Sequence, residues 1–102
     1  MDIQGYAVTV VFELVPGREA LFMTQVVANA SRSLEVEEGC RVFDVCASEG
    51  NSEVFLYEVY DSRAAFDAHL ASEHFLQFDA ASRSWVRSKT VRTYNLLGEP
   101  AK

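Results

Sequence analysis

Hydrophobic and polar positions along this chain switch between two spatial periods. Residues 6–14 are rich in valine, with Tyr6 and Phe12, and predict a strand. Pro16-Gly17 ends it. Across residues 18–35 the apolar positions Ala20, Met23, Val27, Ala30 and Leu34 recur at three- and four-residue steps, the stripe of an amphipathic helix. Glu37-Glu38-Gly39 closes that helix, with Gly39 suited to a left-handed connection. Residues 40–48 and 53–60 read as two further strands joined through Gly50-Asn51-Ser52 as a hairpin. Asp61-Ser62 then supplies a helix cap, and Ala65, Phe66, His69 and Leu70 share one face of the short helix behind it. A second helix is expected over residues 72–86, striped by Phe75, Phe78, Ala81 or Ser82, and Trp85. Residues 90–96 read as a last strand, and residues 98–102 as a tail.

Strand, helix, strand, strand, helices, strand is the split β-α-β order of an α+β, ferredoxin-like fold: an antiparallel sheet with its helices on one face. Such a sheet normally shows a polar, wetted second face. Here Tyr6, Val8, Val10 and Phe12 lie on one face while Ala7 and Val11 lie on the other, and Phe55, Tyr57 and Val59 oppose Val54, Leu56 and Tyr60. Both faces read as buried, and helices cover only one. A homodimer resolves the mismatch by packing two sheets into a dimeric α/β barrel.

Size and charge narrow the reading further. One domain spans residues 1–102, with its core at about residues 6–96. A net charge of −6 argues against a nucleic-acid partner, because phosphate binding needs a basic surface. No apolar run approaches the ~20 residues that cross a bilayer, and the N-terminus lacks signal-peptide character, so no membrane association and a cytoplasmic location are expected. Cys40 and Cys46 on one strand would stand about 20 Å apart, beyond disulfide reach, and fit reduced thiols.

His69 and His74 are the only histidines, at the end of one helix and the start of the next. Histidine exchanges protons near neutral pH, so either suits a general base acting on an acidic phenol or a carbonyl-adjacent C–H. The plainer reading has one histidine bonding across the helix corner and the other solvated. Their spacing, with no acidic or thiol ligand evidently beside them, argues against a metal. Among the aromatic residues, Phe43, Tyr57, Phe78 and Trp85 are candidates to line a cavity for a planar substrate, and Asn95 offers an amide to a substrate oxygen. Asp44 and Glu58 are expected to face each other across the hairpin, compensated by Arg41, Arg63 or Arg92, or forming a carboxylate pair that shares a proton. Arg83, Arg87, Lys89 and Arg92 make the C-terminal region basic, a solvated face or an anion site.

Glu38-Gly39-Cys40, Phe43-Asp44-Val45, Asn51-Ser52, Tyr57-Glu58-Val59-Tyr60 and the run from His69 to Phe75 resemble the antibiotic biosynthesis monooxygenase family across nearly the whole chain. The resemblance implies a cofactor-independent monooxygenase that oxidises an electron-rich aromatic, a quinol or anthrone, with O2 and needs no flavin, haem or metal. Haem-degrading relatives carry an axial histidine where this chain has Asp79, which removes haem from the reading. An isomerase of a phosphorylated dicarbonyl (the autoinducer-2 processing type) is also similar, but Ser31 replaces its first-helix histidine. A non-catalytic dimeric binding module, with structural histidines, is the third reading.

Overall fold

A computed structural model describes residues 2–98. The order is β1 (Ile3–Leu14), α1 (Glu19–Val36), β2 (Cys40–Ala47), β3 (Glu53–Tyr60), α2 (Arg63–Leu70), α3 (Glu73–Ser82) and β4 (Val86–Leu97), with single 3-10 turns at Glu49–Asn51 and Arg83–Trp85. The strands form one antiparallel sheet in the order β2-β3-β1-β4. This is the expected α+β, ferredoxin-like arrangement. The predicted helix over 72–86 is shorter, and β4 starts four residues before the expected 90. Pairing decides it: Leu14 lies opposite Val86 and the Val15 amide donates to the Trp85 carbonyl at 2.8 Å, so β1 draws the chain into the sheet early. Of the expected tail only Gly98 falls within the described residues.

Register assigns the faces. Tyr6, Val8, Val10 and Phe12 of β1 pair with Tyr60, Glu58, Leu56 and Val54 of β3, and this set meets the helices. Phe12, Phe22 and Phe78 pack with ring centroids 4.9–6.2 Å apart as the centre of the core. From α1 the buried residues are Phe22, Val26, Asn29, Ala30 and Ser33. Val27 and Leu34, expected on the stripe, are instead 47% and 46% exposed. The buried stripe is rotated because two of its members are polar, Asn29 and Ser33. The opposite sheet face holds Thr9, Val11, Phe55, Tyr57 and Tyr94, all half-buried or exposed.

The left-handed role expected of Gly39 falls elsewhere. Positive φ occurs at Gly17 (89°), Gly50 (78°) and Asn51 (61°). Gly39 is required for proximity: a Cβ there would stand 2.6 Å from the Ala65 Cβ, where α2 crosses the start of β2. Gly39→Ala is therefore expected to cost about 1–3 kcal/mol by overpacking. Urea unfolding of Gly39→Ala and of the double variant with Ala65→Gly checks this, because removing the opposing methyl should restore most of the loss.

Candidate active site

Three chain segments converge beneath the helix corner. α1 ends at Glu37, whose extended backbone (φ −96°, ψ 108°) turns the chain out while its amide still donates to the Ser33 carbonyl at 3.0 Å. Ser62 caps α2 by accepting from the Ala65 amide at 3.2 Å, and Ser72 caps α3 by accepting from the Phe75 amide at 3.3 Å. The break between those helices places His69 and His74 on either side of the Glu37 carboxylate. One oxygen, Oε2, receives both His69 Nδ1 at 2.8 Å and His74 Nε2 at 2.5 Å. The Ser72 hydroxyl donates to the His69 carbonyl at 2.6 Å and lies 3.2 Å from His74 Nε2, tying the corner together.

A carboxylate only accepts, so Glu37 fixes the proton of neutral His69 on Nδ1 and leaves Nε2 free as an acceptor. His69 is 2% exposed and ringed by Phe43, Tyr60, Phe66 and Phe75, with centroids 5.1–6.3 Å away. It lines a narrow cavity of about 30 Å³ between helices and sheet, shared with Asn29, Phe43, Glu58, Phe78 and Lys89. That volume holds about one water-sized molecule. Among the described residues, one buried side-chain polar atom lacks a partner: Oδ1 of Asn29, a residue that lines this cavity.

Two titratable groups here are pushed in opposite directions. Burial lowers the His69 pKa; the hydrogen bond and charge of Glu37 oppose that shift without cancelling it. Glu58, 3% exposed, is raised to about 7 by burial, against the lowering effects of a hydrogen bond from Tyr60 Oη and the Lys89 charge. Below about pH 7 a neutral acid and a base held toward its neutral form therefore share one apolar cavity, the pairing that proton-transfer sites use. Burial also pushes the Cys40 thiol, beside Glu37 and Glu58, up to about 12.

The structure brings His69, Phe43 and Phe78 to this cavity. His74 reaches it only through Glu37 and otherwise opens on a groove between α1 and α3. Tyr57 pairs with Asp44 and Thr9 on the opposite sheet face, because side chains alternate along β3 and Glu58 takes the inward position. Trp85 packs at the core's edge without lining the cavity, and Asn95 is exposed on β4. Asp44 does not oppose Glu58: the hairpin turn pairs Ala47 with Val54, and that register carries Phe43 opposite Glu58 and Asp44 opposite Tyr57. Arg41 is committed to Asp61 at 2.9 Å. The acidic neighbour thought missing from the histidines is Glu37, 32 residues before His69. These three groups are metal-ligand types with donor atoms within 4.8 Å of one another, and Glu37 hydrogen-bonds directly to both histidines. Glu37 and Asn29 are the site residues that pattern reading missed, and Glu58 was weighed only as the partner of Asp44. Period-two alternation from Val54, Leu56 and Tyr60 does point Glu58 inward, and that signal was available. Asp79 is engaged by Arg83 at 2.8 Å.

The chain's likeness to known proteins is one of family and fold. The family model described as "Antibiotic biosynthesis monooxygenase" matches residues 5–81. "Putative monooxygenase Rv0793" of Mycobacterium tuberculosis is 43% identical over 44 residues, a match covering 43% of this chain and 44% of that relative's length. The structure of Rv0793 superposes with a TM-score of 0.84 at 28% identity, covering 95% of this chain and 99% of that one. "Putative antibiotic biosynthesis monooxygenase from Nitrosomonas europaea" gives a TM-score of 0.89 at 22% identity over 95% and 94% of the two chains, a likeness of fold. No helix among the described residues is long and apolar enough to cross a membrane.

Proposed function

The chain belongs to the antibiotic biosynthesis monooxygenase family, and from that membership we propose that it oxidises a hydroxylated, electron-rich aromatic with O2 and without a cofactor, using His69 as the base. One observation carries the reading: His69 presents a free Nε2 to a cavity while Glu37 holds its other nitrogen. For an anthrone-type substrate, His69 Nε2 takes a proton from the activated CH2. The resulting anion passes an electron to O2, and the two radicals combine into a peroxide C–O bond. The Glu58 carboxylic acid protonates the peroxide, and its carboxylate then takes the second C–H proton. The O–O bond breaks, one oxygen remains as the ketone, and the other leaves as water with the proton held by His69. Both side chains end as they began, and CH2 plus O2 has become C=O plus H2O. Aromatic walls exclude bulk water from the anion.

The isomerase alternative expects Arg87, Lys89 or Arg92 around the substrate. Of these only Lys89 lines the cavity; Arg87 lies on separate surface hollows and Arg92 pairs with Thr9 on the other sheet face. A homodimer remains part of the proposal, since Phe55 and Tyr94 leave apolar rings on the uncovered sheet face. Sedimentation should give twice the 11.4 kDa chain mass, and Tyr94→Lys should shift it toward the monomer. For the chemistry, the expected result with a panel of anthrones and quinols is one O2 consumed per turnover, with label from ¹⁸O2 entering the product. Oxygen uptake that is zero across the panel, or undiminished in both His69→Ala and His74→Ala, would sink the reading.

A further inference from the structure

The cavity beside His69 shares a wall with a second space. Asn29 and Phe78 line both it and an open groove of about 310 Å³ between α1 and α3, whose remaining lining is Gln25, Ala28, Arg32, His74 and Gln77. At about 30 Å³ the inner chamber takes the reacting edge of a substrate or an O2 molecule rather than a whole ring, whereas the groove has the volume of a ring with substituents. The two spaces differ in chemistry. The inner one is lined mostly by apolar side chains, and the groove offers amide and guanidinium donors. Between them stands Asn29, 4% exposed, whose Oδ1 is buried and unpaired: an acceptor that no protein donor meets and that a ligand reaches once the side chain turns toward the groove.

We propose that the groove between α1 and α3 is the outer half of the substrate site, taking an acceptor-bearing substituent such as a carboxylate on Arg32, Gln25 and Gln77, while the ring passes Phe78 and gives a hydroxyl hydrogen to Asn29 Oδ1. This deepens the oxygenase reading and rests on it. Arg32 pairs with Glu35 at 2.9 Å, but that pair is exposed and spans one helical turn, so it yields readily to a ligand. The guanidinium's other N–H groups remain for a carboxylate, which it matches in shape. Glu73 lines the groove's continuation past His74 and sets the limit of the anion's reach.

The test is anaerobic binding, read by fluorescence of Trp85, the chain's one tryptophan, with two probes: a naphthalenediol and the same diol bearing one carboxylate. The carboxylated probe should bind about tenfold tighter to the wild-type protein, the scale of one charge-assisted contact. Arg32→Ala should erase that difference. Ala28→Trp, an exposed change that fills the groove, should weaken the carboxylated probe at least as much, and Asn29→Leu should weaken both probes by about tenfold. Circular dichroism confirms that each variant is folded. Equal affinities in the wild type, or a preference surviving Arg32→Ala, overturns the groove assignment and leaves the oxygenase reading standing. Failure of either diol to bind at all takes both down.

Discussion

Replacing His69 with alanine should reduce turnover by about 10²–10⁴-fold, the range for loss of a positioned general base. The fold should survive, because Glu37 keeps His74 as a partner at 2.5 Å. The argument has a pH signature that a structural histidine would lack. The base works only when neutral, and burial lowers its pKa from the ordinary 6.5, so the acid limb of the rate profile should lie below pH 6.5. Glu37 opposes that lowering through its hydrogen bond and charge. Glu37→Gln should therefore move the acid limb further down while cutting kcat by about tenfold through the loosened ring. A limb that stays in place would leave Glu37 with packing alone to do. On the alkaline side, activity should fall as Glu58 loses its proton near pH 7.

Glu58→Gln should make the protein less active and more stable. Glu58 binds its proton more tightly folded, near 7, than unfolded, near 4.5. Between those values the native state holds more protons than the unfolded chain, so the contribution of Glu58 to stability is full below about pH 4.5 and declines as pH rises through 7. Above that the protein carries a buried charge at a cost of about 3 kcal/mol. Glutamine keeps an oxygen to accept from Tyr60 Oη and carries no charge. At pH 8 the variant should thus gain up to about 3 kcal/mol in urea unfolding, with the gain vanishing near pH 4. Loss of activity by about 10²-fold should accompany it, since the amide supplies no acid. A variant no more stable at pH 8 than the wild type would refute the buried charge.

The fold was legible because its signals are local. Valine-rich runs, the proline-glycine stop and the Asp61-Ser62 cap each act within a few residues, and their order leaves few topologies. The site was half legible. His69 and His74 stand out as the only histidines, yet their partner Glu37 reads as a solvated residue at a helix end, and only tertiary packing shows that it is shared. Asn29 and Ser33 were hidden for the opposite reason: an apolar stripe drawn through α1 skips polar residues, and these two are buried because the site and its wall need them. Tyr57 failed through parity, since one step along a strand reverses the face. Trp85 failed because its helix ends at Ser82.

The thiol of Cys40 acquires a meaning from the chemistry proposed next to it. An enzyme that forms a peroxide inside itself exposes its own sulfur to oxidation, and thiolate is the form that reacts. At a pKa of about 12, roughly one Cys40 in 10⁵ is ionised at pH 7. The buried sulfur beside the site is thereby shielded from leaked oxidant by burial among apolar and acidic neighbours. Cys46 lies exposed at the far end of the same strand. After prolonged turnover Cys40 should therefore stay reduced, its peptide keeping the unmodified mass while uncoupled cycles oxidise sulfurs outside the cavity.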